Sequence, residues 1–499
     1  MFVFAAKKSV MLSVPRALIF AVAATGGFSS GQAANVSWTG GDGSFLDGSN
    51  WAGGSFPVAA NNGQVSNGET ATLSSGSATL TELWIGNTAA GNFVQTGGTL
   101  NLSAGVSGRG NGGVGTWTMT GGTLNTAELR VGGGTGTATT PVTSNGTMTI
   151  SGASTVVNTT AFVGIGTSGT GTLTLTDSAV WTHSGDTVFL IGGDNNSSGQ
   201  AGGTGTLKIL NGAALSLTGG ANFSIGRNTS TTTTTGNGTV VIDGGTVTLN
   251  TGTLNFGSTQ GTNQLAGTGT LTVASGTLTV PNGVRFNQGN GTANFNGGVT
   301  TINGIVKVKA SGTGTVNFNG GTIRAAADST DFVSISGTTG TGTISLNILT
   351  NGLNFDTNGN AVTVAQTLSG VGGLTKLGAG TLTLSVAQAY TGNTAISAGT
   401  LSVKSAFLAD SSDVSITSGG FFDLDTAGAT DTIHALYVDG VAQAAGTYGA
   451  INSGATYERS YITGTGFLLV SVPEPAACGA VVAGLLGVLV VIRRRAVRP

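Results

Sequence analysis

Chemistry in this chain would have to come from carboxylates. The sequence holds two histidines, His183 and His434, and one cysteine, Cys478. That leaves no His or Cys cluster at metal-ligand spacing and no nucleophile, base and orienting acid that includes an imidazole. Asp177, Asp186, Asp194 and Asp243 lie in separate stretches of a long Gly- and Thr-rich middle. Two carboxylates roughly 5 to 9.5 Å apart across a groove would suit glycoside hydrolysis. Nothing in the spacing brings two of these together, and a turn position is the ordinary use of aspartate. Calcium is the other chemistry open to oxygen ligands. "GGDGSFLDG" (Gly40 to Gly48) is a single imperfect Gly- and Asp-rich copy, and Asp410, Asp413, Asp423, Asp425, Asp431 and Asp439 gather after Val403. The run "DLDTAGATD" does not continue to the glutamate that closes an EF-hand loop. Steps such as "GTGTL" lack a Walker lysine and a strand-to-helix pattern, and read as corner glycines. Both histidines read as ordinary polar strand or loop positions. No catalytic, cofactor-binding or metal-ligating residue is assigned, and the expectation is a protein that is not an enzyme.

The elements that would carry these residues are repeats. Aligned on Gly-Thr steps, the chain reads "GTWTMTGGTLNTAELRVG" from Gly115, "GTLTLTDSAVWTH" from Gly171, "GTVVIDGGTVTLNTGTLNFG" from Gly238 and "GTVNFNGGTIRAAA" from Gly314, with others between. Self-similarity at this scale marks a solenoid or an array. Within a unit, Leu173 and Leu175 alternate with Thr172, Thr174 and Thr176, the period of a short strand with one buried face. Threonine suits the strand and covers its wet side. Paired glycines such as Gly121-Gly122, Gly244-Gly245 and Gly320-Gly321 permit the positive φ of tight corners. One coil of two or three such strands cannot bury its own Leu, Val and Ile, whereas stacked coils share an apolar column. The expected fold is all-β, a right-handed parallel β-helix or solenoid, with an N-terminal signal helix and one C-terminal transmembrane helix.

Open ends of a solenoid need covers. Trp38, Phe45, Trp51 and Phe56 form one aromatic cluster near the start, and the aspartates after Val403 come with Tyr437, Tyr448, Tyr457 and Tyr461. The expected organisation is a signal peptide over 1–33, an N-terminal cap with first strands over 34–90, irregular Gly/Thr-rich coils over 91–327, further coils over 328–403, a β cap over 404–471 and a terminal segment over 472–499.

The two termini read as addresses. Lys7, Lys8 and Arg16 precede the apolar run "ALIFAVAA", and small residues follow, the order of a secretory signal peptide with cleavage after Ala33. At the other end Ala476 to Ile492 is uncharged and is followed by Arg493, Arg494, Arg495 and Arg498. As a helix that run is roughly 25 Å long, a marginal membrane span. Setting those seven basic residues aside leaves 11 basic against 20 acidic residues, a net of −9 where the whole chain has −2. A mildly acidic body with scattered basic residues does not suit nucleic acid. With Cys478 in the terminal run, the body has no intrachain disulfide.

Two stretches carry a resemblance. "LSGVGGLTKLGAGTLTLSVAQAYTGNTAISAGTLSV" (Leu368 to Val403) resembles the autotransporter-associated β-strand repeat, with Gly373-Leu374, Lys376, Gly378, Gly380-Thr381-Leu382, Tyr390-Thr391-Gly392 and Gly399-Thr400-Leu401 in matching places. This resemblance implies a β-helical passenger of a surface or secreted protein. Val472-Pro473-Glu474-Pro475, the apolar run 476–492 and Arg493-Arg494-Arg495 resemble a PEP-CTERM sorting signal. That resemblance implies recognition by an exosortase-type membrane protease in a Gram-negative-type bacterium, with the terminal helix a temporary tether. The prolines would keep the segment before the membrane extended, and the arginines would hold the tail on the cytoplasmic side.

The expectation is therefore a non-enzymatic exported protein of the envelope, outer surface or extracellular matrix. Its expected partners are the secretion translocon, the sorting protease, the inner membrane before processing, and exopolysaccharide or another surface glycan. The functions that fit are biofilm formation, glycan association or adhesion. A β-helical lyase or glycosidase and a calcium-stabilised adhesin are the alternatives.

Overall fold

The computed structural model describes residues 33–110, 112–133, 143–193, 202–227, 236–257, 267–308, 312–336 and 342–471. The signal segment up to residue 32 and the terminal segment from 472 lie outside the described residues, together with Asp194. Among the described residues the protein is built from β-strands, with one short 3-10 turn at Gly48–Asn50, and no helix is long and apolar enough to cross a membrane.

Each coil has three sides. Thr170–Thr176, Val180–His183 and Phe189–Gly193 make one coil, and Thr204–Leu210 begins the next. Each strand pairs in parallel with its equivalents in the coils before and after, as Thr170–Thr176 does with Asn145–Ser151 and Thr204–Leu210. This coil-on-coil parallel stacking is the arrangement of a β-solenoid. The first sheet runs through fourteen strands, from Gly43–Ser44 to Ala389–Tyr390. In early coils one long strand serves both remaining sides, as in Ser77–Ile85, Thr99–Ser107, Gly122–Val131 and Thr155–Ile165. From Val180 onward that strand is divided in two. A separate five-stranded sheet, from Ala361–Val364 to Ile462–Gly464, forms the third side of the later coils.

The alternation in sequence is the alternation in space. Met148, Leu173, Leu207, Val240, Leu271, Ala293 and Val316 stand in one register column and are fully buried. Each large apolar side chain so covered contributes about 1.5–3 kcal/mol. Phenylalanines stack between coils in the same way, Phe256 on Phe286 at 4.7 Å and Phe189 on Phe223 at 5.2 Å.

The glycines on which the Gly-Thr units align are strand residues, not corner residues. Gly115, Gly146, Gly171, Gly205, Gly238, Gly269, Gly291 and Gly314, with Gly91 of a Gly-Asn step, pair in register inside first-sheet strands. They are absent from the positive-φ positions. What they supply is space, since a Cβ on Gly171 would lie 2.0 Å from the Val131 carbonyl oxygen, and one on Gly205 2.1 Å from that of Ile165. Positive φ belongs to the paired-glycine turns, at Gly122 (83°), Gly244 (76°) and Gly320 (101°), as the sequence led us to expect.

The first and last described coils depart from the repeat. At the N-terminus Trp51 packs edge-on against Trp38 and Phe45 at 5.3 Å, and Phe56 closes on Phe45 at 5.5 Å. At the C-terminus Phe467–Val470 pairs in parallel with Thr430–Ile433 and antiparallel with Gly446–Gly449, which breaks the stacking pattern. Tyr448 stacks on Tyr457 at 4.8 Å beneath Arg459.

Candidate functional site

The aspartates singled out in the sequence are held apart. Asp177 lies in a turn at φ 53° and accepts from Thr176 and Asn211. Asp186 accepts the Gly220 N–H at 2.8 Å, and Asp243, the last residue of its strand, accepts from Ser275 Oγ at 2.6 Å. Each ties one coil to the next. In "GGDGSFLDG" Asp42 does the same, accepting the Thr70 N–H, whereas Asp47 caps its own 3-10 turn through Ser49.

Five of the six later aspartates have individual partners, and Asp410 lies near Asp431. Asp413 meets His434 Nδ1 at 2.8 Å, Asp425 pairs with Lys404, Asp423 accepts from Ser402 and Thr463, and Asp439 accepts the Ser418 N–H. Asp431 is buried and accepts the N–H groups of Phe407 and Leu408; burial raises its carboxyl above the ordinary range, against those two hydrogen bonds. No group of three His, Cys, Asp or Glu side chains converges among the described residues.

His183 differs from its expected place. It ends a strand but points inward and is fully buried. Trp181 Nε1–H donates to Thr159 Oγ1 at 3.0 Å, and Thr159 Oγ1 lies 2.8 Å from His183 Nδ1, so the hydroxyl can donate onward to a neutral imidazole. Burial pulls its pKa down to about 4. His434 is an exposed partner of Asp413, as a polar surface position.

The third side carries a cluster that the sequence did not disclose. Glu82, Ala104, Glu128 and Phe162 share one register column, with Trp84, Val106 and Arg130 two residues along. Trp84 Nε1–H donates to Glu82, and the Arg109 guanidinium lies 3.4 Å over the Trp84 ring. Arg130 pairs with Glu128 at 3.2 Å and covers Phe162 at 4.6 Å. Burial lowers the Arg109 pKa, with Glu82 opposing. Glu82 and Glu128 have one strand between them, two strand spacings or about 9.6 Å, but each already serves as acceptor for the side chain beside it. The readable signal was the repeat of Glu two residues before Trp or Arg in "ELWIG" and "ELRVG".

A second surface feature lies where the first and second sheets meet. Stacked turns around Asn351, Val371 and Asn393, with Thr350, Thr375 and Ala395, line an open groove of about 420 Å³. None of its lining residues is charged.

The coils beside this groove contain the repeat positions of Leu368 to Val403. Lys376 is fully buried, and its ammonium donates to the carbonyls of Leu377 (2.9 Å), Gly378 (2.7 Å) and Ala398 (3.0 Å). Burial lowers its pKa to about 8, against the pull of Asp356. A Cβ at Gly399 would lie 3.0 Å from that nitrogen. Tyr390 is buried with its hydroxyl 2.8 Å from Thr394 Oγ1, and burial raises its pKa.

Fold and site together define a repeat-built protein with parallel stacked coils, in which several carboxylates join neighbouring coils and no metal-binding group converges among the described residues. The model of the passenger-associated transport repeat family matches residues 374–403. No curated protein and no solved structure matches the chain.

Proposed function

We propose that this chain is a non-enzymatic exported surface or matrix protein whose solenoid body works as a spacer and a multivalent contact surface. The observation that carries this reading is the passenger-associated repeat at 374–403 set within continuous parallel coils. That family supports an exported surface protein. The engaged aspartates add support, because carboxylates committed to neighbouring coils are poorly placed for acid and base work. We read the coil as right-handed, the hand that parallel crossovers take.

The route is export through the translocon with cleavage after Ala33, then sorting by an exosortase-type protease at Val472-Pro473-Glu474-Pro475, with 476–492 as a transient inner-membrane tether held by Arg493, Arg494 and Arg495. The tasks are adhesion, biofilm formation or association with an exopolysaccharide or surface glycan. Intact mass and location of the protein, in its host with and without a functional sorting protease, test this route. A species ending near Pro475 in the envelope or medium, lost in the protease mutant, is the expected result. Full-length protein in the membranes of both strains would make the terminal segment a permanent anchor.

A further inference from the structure

Asn-Gly is the dipeptide most open to a reaction that needs no enzyme. The glycine nitrogen attacks the asparagine side-chain carbonyl, a new C–N bond closes a succinimide ring, and the Cγ–Nδ2 bond breaks with loss of ammonia. Water then opens the ring at either carbonyl and leaves aspartate or isoaspartate. Glycine allows the attack because no side chain shields its nitrogen and its backbone turns freely. A fold opposes it in two ways. A glycine N–H committed to an acceptor is not free to attack, and an asparagine amide that is hydrogen-bonded is not free to swing over it.

The chain is rich in these steps, and the coils protect nearly all that are described. Gly63, Gly146, Gly238 and Gly291 sit in strands paired on both sides. In the turns, Gly68 donates to the Ala90 carbonyl, Gly212 to Gly244, Gly283 to Val280 and Gly359 to Ala379, at 2.8–2.9 Å. Gly297, Gly320 and Gly352 donate to Val273, Gly352 and Leu349. Some of the asparagines are tied as well, Asn67 to Gly40 and Glu69, and Asn211 to Thr176 and Asp177. Asn111 lies outside the described residues.

Asn303-Gly304 is the exception. Asn303 is exposed in the turn between Val299–Ile302 and Ile305–Lys307, and its amide makes no hydrogen bond within the protein. The Gly304 N–H has no protein acceptor either, although the Gly304 carbonyl accepts the Val284 N–H at 3.0 Å. Among the described Asn-Gly steps, no other leaves both reacting groups uncommitted.

We propose that Asn303 is a site of spontaneous deamidation in the folded protein, giving aspartate and isoaspartate through the succinimide. The balance is one water consumed and one ammonia released, with no other reactant. The modification has a structural consequence because both flanks are anchored. Ile302 pairs with Val280 and Ala325, the Ile305 N–H donates to the Phe332 carbonyl at 2.7 Å, and both isoleucines are buried. Isoaspartate routes the backbone through its β-carbon, so it inserts one carbon into a span whose two ends are fixed. The reaction therefore adds a negative charge and loosens the corner between the second and third sides of this coil. The inference is independent of the exported-protein reading.

The test is to age the full chain at mildly alkaline pH in water enriched in oxygen-18, folded and, in parallel, in guanidinium chloride. Peptide mapping by mass spectrometry follows, with isoaspartate read by electron-transfer fragmentation. The heavy oxygen separates conversion during ageing from conversion during digestion. In the folded chain residue 303 is expected to convert about fivefold or more faster than Asn67, Asn211, Asn282 and Asn358, the advantage of one unmade amide hydrogen bond. In denaturant that advantage should disappear, because only local sequence then counts. Equal rates in the folded chain would overturn the proposal, as would a residue 303 that is inert when folded and reacts in denaturant. The thermal midpoint of the aged protein should fall as residue 303 converts and should hold steady in Asn303→Gln, whose longer side chain does not close the same ring. A midpoint that stays constant through conversion, or that falls equally in the variant, would overturn the loosening of the corner.

Discussion

The coils from Gly91 to Gly314 and those from Leu368 to Val403 close the same three-sided path by opposite means. In the first region the first-side strands pack tightly because an atom is missing, the second residue of each being a glycine whose absent Cβ admits a neighbouring carbonyl from Gly91 to Gly269 and a phenylalanine side chain at Gly291 and Gly314. In the second the first-side strands shrink to Leu368–Gly370 and Ala389–Tyr390. There the turn is held by added polar groups, the Lys376 ammonium on three carbonyls and the Tyr390 hydroxyl against Thr394. A solenoid coil can be closed by removing volume or by inserting a bonded side chain. The two solutions fail differently when disturbed.

The largest effect belongs to the glycine column. Gly171→Val places side-chain atoms where the Val131 carbonyl stands, and a loss of about 4 kcal/mol or more is expected, the size of severe core strain. Thermal unfolding followed by circular dichroism should show the transition lowered or split at that coil, since repeats are stabilised through their neighbours. An unchanged transition would mean that the packing around Gly171 is looser than its carbonyl distance indicates.

Next comes acid sensitivity, about 3 kcal/mol, in the same region. Buried His183 titrates near 4 in the folded chain and near its ordinary 6.5 when unfolded. The unfolded state binds the extra proton between those values, so the stability His183 contributes is present above pH 6.5 and is lost as pH falls toward 4. His183→Phe should flatten that part of the stability profile, measured by denaturant midpoints at pH 7 and pH 4.5.

Lys376→Ala is expected to cost about 2–3 kcal/mol, because three carbonyls lose their shared donor. Lys376→Met fills the stem's volume without restoring the bonds. Alkali acts here with its own window. The folded pKa of about 8 lies below the unfolded 10.5, so stability rises as pH climbs from 8 to 10.5, and Lys376→Met removes that rise. The smallest effect is Tyr390→Phe, about 1 kcal/mol for one buried hydroxyl pair, read as a slight drop in the melting midpoint of the C-terminal coils.

Much of this was legible before any coordinates. The alternation of Leu173 and Leu175 with threonines gave the strands and their buried face, and the spacing of Gly-Thr steps gave the stacking. Lys376 and Tyr390 were visible as repeat positions, but their burial was not, because a lysine and a tyrosine in a polar run carry no sign of three inward carbonyls or a buried threonine. His183 was read as an ordinary polar position for the same reason: its strand alternates normally, and only the neighbouring coil's Thr159 makes burial tolerable. The cluster of Glu82, Trp84, Arg109, Glu128 and Arg130 draws on residues up to 48 positions apart, which local pattern reading does not connect.

By itself the sequence determined the period-two strands, the repeat and the dearth of groups for acid, base or metal chemistry, because these follow from residue type and spacing along the chain. Tertiary structure alone decided register, and register decided the rest. It set nine glycines in one column, seven against carbonyls of earlier coils and two against phenylalanine side chains, drew Thr159, Trp181 and His183 into one hydrogen-bonded line, and left eight threonine hydroxyls in a row facing outward. A strand's own residues fix which face is buried; which neighbour each side chain meets depends on the coil above and the coil below, at distances along the chain that vary from turn to turn.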